Sequence, residues 1–185
     1  MARTVIYPEF SQHLFLTGFM GSGKSTLGKK LAPLLNLPFI DLDIFIEKKE
    51  NTSIASIFEA QGETAFREKE TSYLTEIAAL PPAVVALGGG TVCFGNNLKL
   101  IKQQGLLIYL ELPAAVLASR ISNSRHERPL LKGLSGEALL QAIDEKLAQR
   151  TPYYTQAQLT VNALGLTAPA LKTIILESDH HIAGH

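Results

Sequence analysis

Five short apolar runs read as strands, several of them apolar almost throughout: His13–Thr17, Pro38–Leu42, Ala83–Leu87, Leu106–Glu111 and Gln158–Asn162. Runs such as Val84-Val85-Ala86-Leu87 and Leu106-Leu107-Ile108-Tyr109-Leu110 do not alternate, which is the pattern of strands in a parallel sheet covered on both faces. Longer segments between them carry apolar residues at steps of three and four. Lys24–Leu35 is one. Thr52–Ala60 and Gly62–Leu80 together place Ile54, Ile57, Phe58, Phe66, Leu74 and Ile77 at that spacing, and Ser135–Arg150 repeats it with Leu139, Leu140, Ile143 and Leu147. Strand alternating with helix predicts an α/β fold, a three-layer sandwich with a five-stranded parallel sheet and right-handed crossovers. Pro81-Pro82 reads as a loop before the third strand, not as a boundary. From Ser178 onward, with His180, His181 and His185, no periodicity is visible, and the tail is expected to fray.

The chain has 185 residues, which suits a single domain over 1–185. Lys plus Arg equals Asp plus Glu at 17 each, so the basic surplus of a general nucleic-acid binder is missing. One cysteine, Cys93, excludes an intrachain disulfide and suits a cytoplasmic protein. The N-terminus MARTVIYPEF does not read as a signal peptide, and no apolar run approaches the roughly 20 residues of a membrane helix. Cys93 reads as a small apolar residue without an activated thiolate.

Directly after the first strand comes Gly18-Phe-Met-Gly-Ser-Gly-Lys-Ser-Thr26, matching G-x-x-x-x-G-K-[ST] between a strand and a helix. Glycines let successive N–H groups point inward as an anion nest, and the following helix adds its positive dipole end. Gly21, Ser22, Gly23, Lys24, Ser25 and Thr26 therefore form the expected nucleotide-phosphate site for ATP, with Lys24 reaching the β and γ phosphates and Ser25 a ligand of Mg²⁺. Asp41 and Asp43 end the second strand, where two positions apart means one face. They suit a metal's water shell and proton acceptance from a hydroxyl, although Asp43 as the N-cap of a helix beginning at Ile44 is the competing reading. The third strand runs into Gly88-Gly89-Gly90 where a Walker-B aspartate usually stands, which leaves Asp41 as the carboxylate for Mg²⁺ and weighs against a motor ATPase or GTPase.

The glycine triplet points to close backbone approach by a ligand, against a plain loose loop. Arg67 reads first as an i,i+4 partner of Glu63. Arg128 lies in the polar stretch Ser122-Asn-Ser-Arg-His-Glu127 and beyond, either a lid arginine or a solvated loop charge. Arg150 reads as the end of a helix, near its C-terminal dipole.

In order along the chain, GFMGSGKST, DLD, IFEAQGETAFREKE, GGG, RPLL and Arg150-Thr-Pro-Tyr-Tyr154 resemble the shikimate kinase family, over about Leu14 to Tyr154. The resemblance implies a P-loop kinase fold with a lid at about 122–134 and a shikimate-binding segment at about 43–72. It also implies transfer of the ATP γ-phosphoryl to the 3-hydroxyl of shikimate, in the route to aromatic amino acids. In that reading Asp43 binds shikimate hydroxyls and acts as base, Arg67 and Arg150 clamp the carboxylate, and Gly88, Gly89 and Gly90 lie against the substrate. Arg128 covers the ATP phosphates, Arg120 stacks on adenine, and Asp41 serves Mg²⁺ through water. The expected partners are shikimate and ATP, without nucleic acid or membrane, for a monomer. The rival readings are another small-metabolite P-loop kinase, such as a gluconate kinase, and a nucleotide-binding module without catalysis.

Overall fold

The computed structural model describes residues 10–124, 131 and 133–182, with side chains to residue 178. Its sheet has five strands, β1 (His13–Thr17), β2 (Phe39–Asp41), β3 (Val84–Ala86), β4 (Gly105–Glu111) and β5 (Leu159–Asn162). They are all parallel, in the order β2-β3-β1-β4-β5. β1 lies between β3 and β4, so the connections leaving it and returning past it open a crevice at the carboxyl ends of the strands.

Alternation along the strands divides two cores. Leu14, Leu16, Val84, Leu106, Ile108 and Leu110 face helices α1 (Lys24–Leu34), α5 (Ala114–Ser122), α6 (Gly136–Tyr154) and α7 (Ala168–Ile182). Phe15, Val85, Leu87, Leu107 and Tyr109 face α2 (Leu42–Glu50), α3 (Ile54–Ala78) and α4 (Asn97–Gln104), and Tyr154 at the end of α6 joins this second core. The three-layer expectation holds. α1 approaches the sheet so closely at Gly28 that a Cβ there would lie 2.7 Å from the Phe39 ring.

Several boundaries differ from the sequence reading. α3 is one segment from Ile54 to Ala78, but Gly62 breaks it with φ 81° and ψ 175°, at the position where the periodicity suggested two helices. α6 does not end at Arg150. It passes through Pro152 to Tyr154, and Thr151 Oγ1 donates to Leu147 O within that turn. α7 runs to Ile182, past the point where periodicity fades at Ser178. At the far end of the sheet, the Gln158 side-chain amide accepts from Leu107 N (2.9 Å) and donates to Gly105 O (3.2 Å), extending β5's pairing with β4 by a side chain. Among the described residues, no helix is long and apolar enough to cross a membrane.

Candidate active site

The loop between β1 and α1 turns on glycines. Gly18 (φ 140°), Gly21 (φ 83°) and Gly23 (φ 97°) occupy backbone conformations that side-chain-bearing residues rarely adopt. Gly23 is also the N-cap of α1, and no side chain caps the helix and no acid lies in its first turn. The amides of that turn and the helix dipole therefore face the loop without a competing protein anion, which is a cradle for phosphate. Lys24, buried, curls over the loop and donates to the carbonyls of Gly18 (2.7 Å) and Phe19 (3.0 Å). Ser22 Oγ is buried with no hydrogen-bond partner among the described residues. Ser25 and Thr26 stand exposed at the start of the helix.

Asp41 and Asp43 are arranged differently from the strand expectation. β2 stops at Asp41, whose Oδ1 accepts from Asp43 N (3.1 Å) and Ile44 N (3.3 Å), so that α2 begins at Leu42. Asp41, not Asp43, is the N-cap. Asp43 sits in the first turn of α2 and turns towards the glycine triplet, where a Cβ on Gly88 would lie 3.2 Å from its Oδ1.

The triplet is packed on every side. The same Cβ on Gly88 would lie 2.6 Å from Glu70 Oε1, one on Gly90 would lie 2.6 Å from Arg67 Nη2, and one on Gly89 would lie 3.3 Å from both Arg150 Nη1 and Met20 N. None of the three needs a positive φ. Their glycines make room for these neighbouring protein groups, so the loop is tightly packed and not loose.

Arg67 does pair with Glu63 (3.2 Å), as its spacing suggested. A stronger partner is Glu70, fully buried, at 2.8 Å. Burial acts to lower the guanidinium pKa, but Glu70 and Glu63 outweigh it and raise it above the ordinary value, so Arg67 stays cationic. Glu70 also accepts from Thr91 Oγ1 (2.6 Å), and Asn97 Nδ2 donates to Thr91 O (3.0 Å), which ties the arginine to the 3-10 turn Thr91–Cys93 after the glycines. Arg150 comes from α6 with four more residues of helix after it, so the helix-end reading does not apply. Its Nη1 donates to Gly89 O (3.3 Å) and its guanidinium lies over the Phe19 ring at 5.4 Å. Burial pushes the Cys93 thiol pKa up, although Arg150 and Arg67 oppose the shift, in keeping with an unactivated cysteine.

Arg120, exposed on the last turn of α5, donates to Gly21 O (3.2 Å) on the outer side of the phosphate loop. Arg128 and most of the segment around it lie outside the described residues. Sequence reasoning assigned no role to Glu70, Phe19 or the Tyr154 hydroxyl. The i,i+3 spacing of Arg67 and Glu70 was the available signal for the first. The other two lie inside quoted motifs but act through contacts distant in sequence.

A strand–glycine-loop–helix phosphate cradle beside two arginines and a carboxylate, at the carboxyl edge of a parallel sheet, defines a P-loop kinase acting on a small anionic acceptor. The model of the family described as shikimate kinase matches residues 20–178. A shikimate kinase from Parabacteroides distasonis is 41% identical over 92% of this chain and 94% of its own. The solved structure of shikimate kinase from Acinetobacter baumannii in complex with shikimate superposes with a TM-score of 0.86 at 34% identity, covering 96% of this chain and 97% of that one. A gluconokinase from Sinorhizobium meliloti, at 17% identity and a TM-score of 0.55, shares the fold alone. The chain belongs to the shikimate kinase family, ATP-dependent kinases that transfer a phosphoryl group to an alcohol.

Proposed function

We propose that the chain transfers the γ-phosphoryl of ATP to the 3-hydroxyl of shikimate, giving shikimate 3-phosphate and ADP, with the residues above in defined roles. The observation that carries the reading is the convergence on Gly88–Gly90: Asp43 and Glu70 at Gly88, Arg150 and the phosphate loop at Gly89, Arg67 at Gly90. Two guanidiniums at neighbouring residues of the triplet, Gly89 and Gly90, suit one carboxylate, a planar anion that arginine binds bidentately. Asp43, at the other end of the triplet, then meets a ring hydroxyl.

In the reaction the acceptor oxygen attacks the γ-phosphorus while the bond from that phosphorus to the β–γ bridging oxygen breaks. The hydroxyl proton passes to Asp43, and the electron pair of the broken bond leaves on ADP. Lys24 leaves the carbonyls of Gly18 and Phe19 to contact the β and γ phosphates, and the amides at the start of α1 hold the phosphate oxygens. Gly21, Ser22, Gly23, Ser25 and Thr26 complete that loop, Arg120 flanks the nucleotide, and Arg128 covers the phosphates from the lid. The donor chemistry fits a magnesium ion: Ser25 offers a hydroxyl and Asp41 retains an oxygen beyond its cap. When bound, Mg²⁺ neutralises phosphate charge.

The domain is one unit, with an acceptor segment at about 43–72 and a lid at about 122–134. The enzyme works in the cytoplasm, where a lone thiol is at home, and a monomer suffices because each proposed site residue comes from one chain. ADP release from MgATP with and without shikimate, with gluconate as the rival acceptor and Lys24→Ala as control, tests the reading. Shikimate-dependent release lost in Lys24→Ala is the expected result. Release dependent on gluconate instead would move the chain to the rival kinase class, and ATP binding without release on either acceptor would make it a binding module.

A further inference from the structure

Tyr154 closes α6 and is fully buried, its ring stacked on Tyr109 with centroids 5.0 Å apart and 27° between planes. The ring belongs to the same apolar core as Phe15, Leu87, Val92 and Leu107, while the Arg150 guanidinium lies beside the hydroxyl. A phenylalanine would fill the place equally well, and a hydroxyl buried there costs free energy unless it is hydrogen-bonded. The hydroxyl donates to the carbonyl of Gly89. Burial, only partly opposed by the positive charge of Arg150, raises the phenol pKa well above the ordinary tyrosine value, so the group remains a donor at working pH.

The Gly89 carbonyl also accepts from Arg150 Nη1, at the longer distance of 3.3 Å. A peptide unit is planar and trans, so fixing the direction of this carbonyl fixes the Gly90 N–H in the opposite direction. Neither the Gly89 nor the Gly90 amide makes a backbone hydrogen bond among the described residues, whereas Thr91 and Cys93 N–H close back onto Gly88 and Gly90. Gly90 is also the residue against the Arg67 guanidinium.

We infer that Tyr154 is a positioning residue for acceptor binding: its hydroxyl holds the Gly89–Gly90 peptide plane, which aims the Gly90 N–H at the acceptor carboxylate and leaves the Arg150 fork available to that same carboxylate. Without the hydroxyl, the Gly89 carbonyl has Arg150 as its remaining donor and draws the guanidinium towards the backbone. The inference rests on the carboxylate-clamp reading of Arg67 and Arg150.

The test is steady-state kinetics of Tyr154→Phe and Arg150→Ala with shikimate and MgATP, together with melting temperatures. Tyr154→Phe keeps the ring and its stacking and removes the hydroxyl, with its bond to Gly89 O and its interaction with Arg150. The expected result is a KM for shikimate raised roughly fivefold, with kcat and the KM for ATP within about twofold of wild type. Arg150→Ala is expected to raise the same KM by more than about tenfold. An unchanged shikimate KM in Tyr154→Phe beside a raised one in Arg150→Ala overturns the positioning role and leaves the clamp standing. An unchanged shikimate KM in Arg150→Ala removes the clamp and the inference with it. A Tyr154→Phe enzyme that loses melting temperature and worsens both KM values and kcat alike assigns the hydroxyl to packing and overturns the inference.

Discussion

Gly90→Ala separates space from backbone conformation as the reason for a glycine. Gly90 has φ −109° and ψ −4°, angles that alanine adopts without penalty. The added methyl would nevertheless sit 2.6 Å from Arg67 Nη2, 2.8 Å from Cζ and 3.0 Å from Nη1, against the face of the guanidinium. Ordinary contact begins near 3.4 Å, so one group must move by about 0.8 Å. Arg67 is poorly placed to retreat, because Glu70 holds it at 2.8 Å and the residue is 8% exposed. A displacement of that size carries the Arg67–Glu70 bond beyond hydrogen-bond range, and a charge-assisted bond contributes about 1.5–3 kcal/mol. If the whole effect falls on acceptor binding, the KM for shikimate rises roughly ten- to a hundredfold. Gly95→Ala is the matched control. A Cβ there meets nothing within 4 Å, but φ is 52°. This variant is expected to lose about 1 kcal/mol of stability, or about 2–4 °C in melting temperature, with kinetics unchanged. Kinetics against shikimate and thermal melts of both proteins decide the matter. Wild-type KM in Gly90→Ala would refute the argument, because it would mean that the Arg67 position does not govern acceptor binding or that the turn yields without disturbing it.

Lys24→Ala is expected to lower kcat at least about 10²-fold while the melting temperature stays near wild type, measured by coupled ADP release; a variant of normal turnover would remove Lys24 from phosphoryl transfer. Asp43→Asn keeps the shape and removes the proton acceptor, so kcat should fall about 10²- to 10⁴-fold, and wild-type turnover would sink the base assignment. His13 begins β1, and its Nδ1 accepts the Ala83 N–H (3.2 Å), so the buried ring is neutral. Desolvation lowers its pKa below the ordinary 6.5, against opposing backbone hydrogen bonds at Ala78 and Leu80. The unfolded chain therefore binds this proton more readily than the folded one, and the contribution to stability is complete above pH 6.5 and declines as pH falls below it, levelling off once the folded pKa is passed. Melting temperature followed from pH 8 to pH 5 should show this decline in wild type and a flatter profile in His13→Gln; identical slopes would refute it.

The sheet was legible because its strands are buried on both faces, and such runs stay apolar whatever the details of their neighbours. β1 was read at its observed bounds for that reason. The second strand was drawn one residue too long at each end; at its carboxyl end an apolar Leu42 suits the first turn of a helix as well as a strand, and the choice is made by the Asp41 side chain capping the N–H groups of Asp43 and Ile44. The end of α6 was also misjudged: drawn at Arg150, the helix runs on through Pro152 to Tyr154, which packs into the core. The phosphate loop is a local motif and could be read in full. Glu70 offered only its i,i+3 spacing to Arg67; its bond to Thr91, 21 residues away, and that of Tyr154 to the Gly89 carbonyl, 65 residues away, leave no local signal.

The position of Gly89 has a consequence for ligand design. A single Cβ at this residue would touch the Arg150 guanidinium and the phosphate-loop amide of Met20 at the same 3.3 Å. In the proposed arrangement the acceptor side and the nucleotide side of the site thus meet at a single residue. A bisubstrate inhibitor joining a carboxylate-bearing ring to a phosphate mimic needs a tether of only a few atoms, and each atom added beyond that gives back, as lost conformational freedom on binding, part of what linking the two halves gains.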